Sequence, residues 1–408
     1  MKLATYMGIV FLSAFVFWKG VLPAFKEVNS DFANYYVSAR MIVEHKPLDS
    51  LYNNAWFEKQ IHNRGINTLG KFSPFPPITA FVMTPLAWMS PIRAQQSFTV
   101  INLLLLFGCI WLIRNITGWD WRFSSLLILV CGVGLVNNIR FGQLYILVLF
   151  LTLLGHWQLT RNQIVSPSIS TSLLSAIKYF AIIYAPAYWL VGKRKYVFAT
   201  LLSLMALVIL QFVFFGSTVM KDFLTTAFFP HLDGRLNGQG NFHYQFQSWD
   251  SFLQFLFIYD PQYNVHPVFS FPEGKSLIKY LITLIVIVGV FIGVKKIARS
   301  SSDQKLNWYI GLMGTGAFVL LPATATYHFV MLVFPMAMLL SISRLDYRFR
   351  NGLIILFCVI GLIPYGFSYE LAKEWGVFFA FPRLWVITLL FFTVILAIMK
   401  EELSPKNS

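Results

Sequence analysis

The sequence predicts an all-α protein that crosses a membrane many times, and three observations carry that prediction. Of its 408 residues, 57% are hydrophobic and only 12% are charged, a balance that leaves a soluble fold without enough polar surface to cover itself. The apolar residues gather in runs of about 20, the length a helix needs to cross the hydrocarbon core of a bilayer. All 17 acidic residues fall between those runs and none within one, as the cost of an ionised carboxylate in lipid requires.

The first run, Leu3 to Leu22, is long enough for a crossing and has no small-x-small cleavage site, so it reads as a retained first helix. The next apolar stretch, residues 76–89, is short and holds Pro76, Pro77 and Pro85. Proline interrupts a spanning helix, so this stretch reads as lying on the outer surface or re-entering it. Residues 166–191 read as one long helix would carry Lys178 at mid-bilayer, at a cost of about 2.5 to 3.5 kcal/mol. Split into two short helices meeting at Lys178, the same residues keep the ammonium at the surface.

The spans are then twelve: 3–22, 95–114, 122–137, 143–160, 164–177, 179–192, 197–215, 277–294, 306–321, 327–342, 351–368 and 378–400. In this arrangement Arg114, Arg122, Arg161, the Lys193-Arg194-Lys195 cluster, Lys295, Lys296, Arg299, Lys305, Arg344, Arg348 and Arg350 face the cytoplasm together with both termini. That distribution obeys the positive-inside rule.

The chain therefore reads as a single integral membrane domain, residues 1–408, with two large extracytoplasmic loops at 23–94 and 216–276 and a short turn around Glu370 to Trp375. The first loop carries an amphipathic helix pattern from Phe32 to Glu44, a second from Trp56 to His62, and then the proline-rich segment. The second loop mixes Gly and Asn turns with aromatic, Gln and His residues and ends in the amphipathic run Trp249–Phe257, a pattern typical of helices lying along the interface. Folded loops of this size place the work on the outer face of the membrane.

The formal charge of +15 is spread over short interhelical loops and forms no basic domain, which excludes nucleic acid as a partner. The three cysteines, Cys109, Cys131 and Cys358, all lie within apolar runs, where cysteine packs as a small hydrophobe. The seven histidines show no ligand pair at helical spacing, and Asp233 with His231 and His243 matches no metal spacing, so no metal or other cofactor is expected. Asp31 follows the first run in Asn29-Ser30-Asp31-Phe32-Ala33-Asn34-Tyr35-Tyr36. A carboxylate held at the bilayer surface among tyrosines is the leading candidate for a general base, and it would equally serve as the N-cap of the helix beginning beside it.

The string Asp31-Phe32-Ala33-Asn34-Tyr35-Tyr36 with Arg40, then Leu51-Tyr52, Pro74-Phe75-Pro76-Pro77 and Pro85-Leu86, resembles the amino-terminal signature of glycosyltransferase family 87. Further matches are Phe141-Gly142-Gln143-Leu144-Tyr145, Ala176-Ile177-Lys178 before Pro186, Phe246-Gln247-Ser248, and Pro322 to Tyr327-His328 before Pro335. Two positions depart from the common pattern: Phe246 stands where the family usually has Asn, and Tyr179 where it usually has Pro.

The resemblance implies a C-type glycosyltransferase fold in a bacterial plasma membrane. It implies transfer of a monosaccharide, commonly mannose, from a polyprenyl-phosphate donor to a glycolipid or glycan hydroxyl on the outer face, with inversion. Asp31 is then the catalytic base; Arg140, Lys178 and His328 hold the donor phosphate; and Tyr35, Tyr36, Arg40, Gln143, Gln247 and Ser248 bind substrate. Apart from the resemblance, each of these has a plainer role open to it. Arg140 and Lys178 would snorkel to lipid phosphates, the tyrosines would anchor at the interface, and His328 would pack in a helix. A lipid-linked sugar transporter or flippase would show ionisable groups inside the spans, and the acids are absent there. A non-catalytic component of envelope biosynthesis is the third reading.

Overall fold

In the computed structural model, which describes residues 2–235, 237, 240–364 and 371–400, regular structure is helical. No strand occurs among those residues, and a single antiparallel bridge joins Asp260 to Asn264. Helix is what an apolar surrounding demands, because it satisfies each backbone N–H and C=O within its own segment. The chain divides into two compact units, residues 1–182 with 194–239, and residues 183–193 with 240–408.

In the first unit α1 (Lys2–Val16) runs through a π-helical stretch, Phe17–Val21, into α2 (Leu22–Lys26). Residues 23–94 supply α3 (Ser30–Val43) and α4 (Asn54–His62), matching the two amphipathic patterns in the sequence. The proline-rich stretch forms two short 3-10 turns, Pro77–Phe81 and Thr84–Leu86, and no α-helix. There follow α5 (Pro91–Thr117), α6 (Trp121–Leu129), α7 (Val133–Phe141), α8 (Tyr145–Thr160) and α9 (Val165–Lys178). After α10 (Ala185–Leu190), which belongs to the second unit, come α11 (Arg194–Asp222) and α12 (Phe229–Leu232).

Helix α9 ends at Lys178, where the sequence places a break. Tyr179 takes the left-handed conformation at φ 56°, and the Phe180 amide turns back to the Lys178 carbonyl at 2.6 Å. Upstream, α9 packs on α11 through small polar residues: Ser168 and Ser172 donate to the carbonyls of Tyr196 and Thr200 at 3.3 and 2.7 Å. Small residues four apart let two backbones approach closely, as in membrane helix pairs.

Two expected boundaries move. The span read at 122–137 is two helices, α6 and α7, bent by 73° at the break between them. Helix α7 then continues to Phe141, which puts Arg140 inside its last turn. The span read at 197–215 also continues, through a kink at Gly216 with φ 80° and a π-helical stretch, Phe223–Phe228, to Leu232. The cause is a buried stripe, Phe215, Val219, Phe223 and Ala227, packed into one apolar cluster with Phe57, Phe72 and Phe75 from the segment between α2 and α5. Residues 216–232, read as loop, are therefore held helical by tertiary burial.

The second unit contains α13 (Trp249–Phe257), α14 (Glu273–Arg299), α15 (Lys305–Leu320), α16 (Val333–Leu340), α17 (Tyr347–Leu362), α18 (Val377–Ala380) and α19 (Pro382–Lys400). Helix α13 has the predicted limits but not the predicted surface position: every residue from Asp250 to Phe257 is buried. Phe252 stacks edge-on against Phe378, Phe381 and Trp385 at 5.4, 5.6 and 5.0 Å between ring centroids, an aromatic cover that takes the place of lipid headgroups. Of the turn expected at Glu370 to Trp375, Glu370 lies outside the described residues.

All twelve expected spans hold helix among the described residues. Five helical stretches are long and apolar enough to cross a bilayer by themselves: Leu3–Lys26, Pro91–Thr117, Arg194–Leu232, Glu273–Arg299 and Pro382–Lys400, with the bent α6–α7 pair as a sixth. Their outward faces are apolar and bare; on α14, Leu277, Leu281, Leu284 and Phe291 are all exposed. A surface of this kind calls for lipid, and the protein is a multi-pass membrane protein.

Candidate functional site

Helix α3 begins with Asn29 in the cap position, its amide donating to the Gln95 side chain at 3.1 Å, so Asp31 is not the cap but a first-turn residue. A carboxylate there interacts favourably with the helix dipole. Asp31 keeps a partly exposed surface, yet it sits deep enough among its neighbours that desolvation dominates its titration and raises its carboxyl above the usual 3.8. A hydrogen bond from Gln143 and the charges of Lys178 and Lys71 oppose that rise without cancelling it.

Gln143 reaches Asp31 because of the glycine before it. Gly142 ends α7 at φ 65°, and a Cβ there would lie 2.7 Å from the Cβ of Phe32, the residue that follows Asp31. With glycine the two segments close, and the Gln143 side chain is placed between Asp31 and Tyr35. Its carbonyl accepts from the Tyr35 hydroxyl at 2.8 Å, which leaves the amide to donate to the carboxylate. The Tyr35 hydroxyl in turn accepts from Lys178 Nζ at 2.9 Å. The result is one hydrogen-bonded chain, Lys178 to Tyr35 to Gln143 to Asp31, drawn from three places in the first unit: the end of α9, the first turns of α3 and the turn between α7 and α8.

Lys178 is buried at the end of α9 with its ammonium over three rings, 4.2 Å from Phe75, 4.8 Å from Tyr145 and 5.4 Å from Tyr35. Aromatic faces stabilise a cation without neutralising it. Phe75 is fixed in turn by its carbonyl, which accepts from the Tyr52 hydroxyl at 2.7 Å. Among the described residues, no carboxylate lies within ion-pair distance of Lys178.

Other expected site residues are placed differently. Arg140 is exposed, its guanidinium 5.8 Å from the ring of Phe141, and does not join the chain. Tyr36 donates to the Met89 carbonyl at 2.7 Å, and Arg40 binds Glu44 at 2.6 Å and the Ala87 carbonyl at 2.5 Å. Both therefore clamp the proline-rich segment onto α3.

In the second unit, the Gln247 side chain donates to the carbonyls of Tyr244 and Ala380 at 2.9 and 3.1 Å and accepts from the Arg383 amide at 3.1 Å. Ser248 caps α13, accepting from the Ser251 amide at 3.3 Å, and donates to the Pro322 carbonyl at 2.7 Å. His328 Nδ1 accepts from the Ala325 amide at 2.8 Å, which puts the proton of the neutral ring on Nε2.

Sequence reading missed Lys71. It lies between α4 and α5, three residues before Pro74, and its Nζ donates to the Asn237 carbonyl. Burial lowers its pKa to about 8, against the opposing charge of Asp31. The available signal was a lysine opening the proline-rich string; nothing in that string showed that it would fold back toward Asp31. Among the described residues, no three His, Cys, Asp or Glu side chains gather as metal ligands would.

The profile of glycosyltransferase family 87 matches residues 74–322, more than half of the chain. No curated protein matches it. The matched stretch takes in Arg140, Gln143, Lys178, Gln247 and Ser248; Asp31, Tyr35, Tyr36, Arg40 and Lys71 precede it, and His328 follows it.

Proposed function

Because the chain belongs to glycosyltransferase family 87, we propose that this membrane glycosyltransferase moves mannose from a polyprenyl-phosphate donor to a glycolipid or glycan hydroxyl on the outer face of a bacterial plasma membrane. The observation that carries the reading is the chain Lys178–Tyr35–Gln143–Asp31. It joins a cation to a carboxylate through two neutral side chains, so the two charges are held in one site without quenching each other. A carboxylate in a direct ion pair would be a weaker base; a desolvated one above the usual carboxylate range is a stronger base.

In the proposed reaction Asp31 takes the proton of the acceptor hydroxyl as its oxygen bonds to the anomeric carbon. The bond from that carbon to the phosphate oxygen breaks on the opposite side, giving inversion in one step. Lys178 holds the departing phosphate, where an aromatic surround that excludes water strengthens its charge. Arg140, exposed at the end of α7, meets the lipid phosphate. The twelve apolar segments cross the membrane within a C-type fold, and their faces receive the prenyl tail.

The test is to incubate the purified protein with synthetic polyprenyl-phosphate sugars and membrane glycolipids and follow product by mass spectrometry. Turnover with a polyprenyl-phosphate hexose is the expected result. Turnover with a nucleotide sugar and with no lipid-linked donor would overturn the donor assignment.

A further inference from the structure

We infer that Lys71 is a second phosphate-holding cation, which with Lys178 brackets Asp31 in an anion site whose charge stays balanced throughout the transfer. The inference rests on the polyprenyl-phosphate donor proposed above.

Both lysines act electrostatically on Asp31, and His231 is close enough to feel the charges of both. Yet among the described residues neither lysine has a carboxylate within ion-pair distance. Lys71 donates instead to a neutral backbone carbonyl, that of Asn237. This carbonyl is itself held in place: Asn54 donates to the Asn237 side chain at 3.0 Å, and the Asn237 amide reaches the Tyr52 carbonyl at 3.5 Å. The His231 Nδ1 atom is buried and has no hydrogen-bond partner among the described residues. Two buried ammonium groups acting on one carboxylate leave a surplus positive charge in a water-poor place, which is costly until an anion arrives.

The anion that fits is a lipid phosphate, and the count closes at both ends of the reaction. Two lysines, an ionised Asp31 and a phosphodiester donor with one negative charge sum to zero. Afterwards the proton sits on Asp31, and the released phosphomonoester, with its second ionisation near pH 6, carries close to two negative charges against the same two lysines. The sum is zero again. Arg140 is exposed to solvent and stays outside this count; with Lys178 as its one buried cation the site would be one negative charge in excess throughout, which would repel both donor and product. Burial lowers the pKa of Lys71 to about 8, and an anion bound beside it would raise it again.

The experiment compares the wild type with Lys71→Gln and Lys71→Arg, reading donor KM, acceptor KM, and inhibition by free polyprenyl monophosphate, with thermal unfolding as a check on folding. Lys71→Gln should raise the inhibition constant of the monophosphate on the order of 10- to 100-fold and donor KM by less, because the product carries the larger charge. Acceptor KM should hold, and Lys71→Arg should recover most of the loss. If the wild type uses polyprenyl-phosphate sugars but Lys71→Gln leaves both donor KM and monophosphate inhibition unchanged, Lys71 only ties down the Asn237 backbone and the inference fails. If the wild type ignores every polyprenyl-phosphate sugar, the donor assignment fails instead. Should Lys71→Gln not fold, the Arg variant carries the comparison, and equal changes in donor and acceptor KM there would count against phosphate binding.

Discussion

On the proposed reading Asp31 concentrates the chemistry of this protein in one side chain, because its position makes its ionisation unfavourable. Burial raises its carboxyl above 3.8, so the native state binds that proton more tightly than the unfolded chain does. The associated stability is complete below pH 3.8 and is lost as pH rises through the folded value. Asp31→Asn, nearly the same size and never charged, should therefore melt at a higher temperature than wild type at neutral pH. Near pH 3 the difference should vanish. The same substitution should cut turnover on the order of 100-fold or more, since the amide cannot accept the acceptor's proton. Thermal unfolding in detergent at the two pH values, alongside product formation, separates a strained base from a stabilising first-turn residue. Lower melting at neutral pH with near-normal activity would identify the latter.

Among the elements, the two that matter most are those whose ends are sharply defined. Helix α9 stops at Lys178 because Tyr179 turns left-handed, and α7 stops at Gly142 because only a residue without a Cβ fits against Phe32. Gly142→Ala adds the left-handed penalty of roughly 1–2 kcal/mol to a contact at 2.7 Å, and Phe32 must then move. Since Phe32 adjoins Asp31 and Gly142 adjoins Gln143, the bond between those two side chains is lost with the contact. The expected outcome is a lower melting temperature together with a lower kcat at little-changed acceptor KM. A variant that melts lower but keeps its kcat would show that the Gln143 bridge is dispensable. The proline-rich segment is held by a different device, the clamp of Tyr36 and Arg40 on the carbonyls of Met89 and Ala87.

The whole molecule works, on the proposed reading, from the outer face, and that sidedness can be measured within the first unit. In a background lacking the three cysteines, a cysteine at exposed Leu69 should react with an impermeant thiol reagent added to intact cells. A cysteine at exposed Gln163, between α8 and α9, should react only after permeabilisation. The reverse pattern would invert the topology and put Asp31 on the cytoplasmic side. Composition and the placing of charge were enough to determine a helical membrane protein, the limits of α13, the amphipathic helices α3 and α4 and the break at Lys178. These are local or solvent-level facts, set by hydropathy period, proline and the cost of a lysine in lipid. The resemblance pointed to Asp31, Tyr35, Gln143 and Lys178 one by one. That these four form a single hydrogen-bonded chain, that Arg140 stays outside it and that Lys71 approaches it were decided by the tertiary structure alone. So were the helical course of 216–232 and the burial of α13. Each of these depends on which apolar surface a segment finds to cover it, and a linear pattern records that a residue is apolar or charged without recording what it will meet.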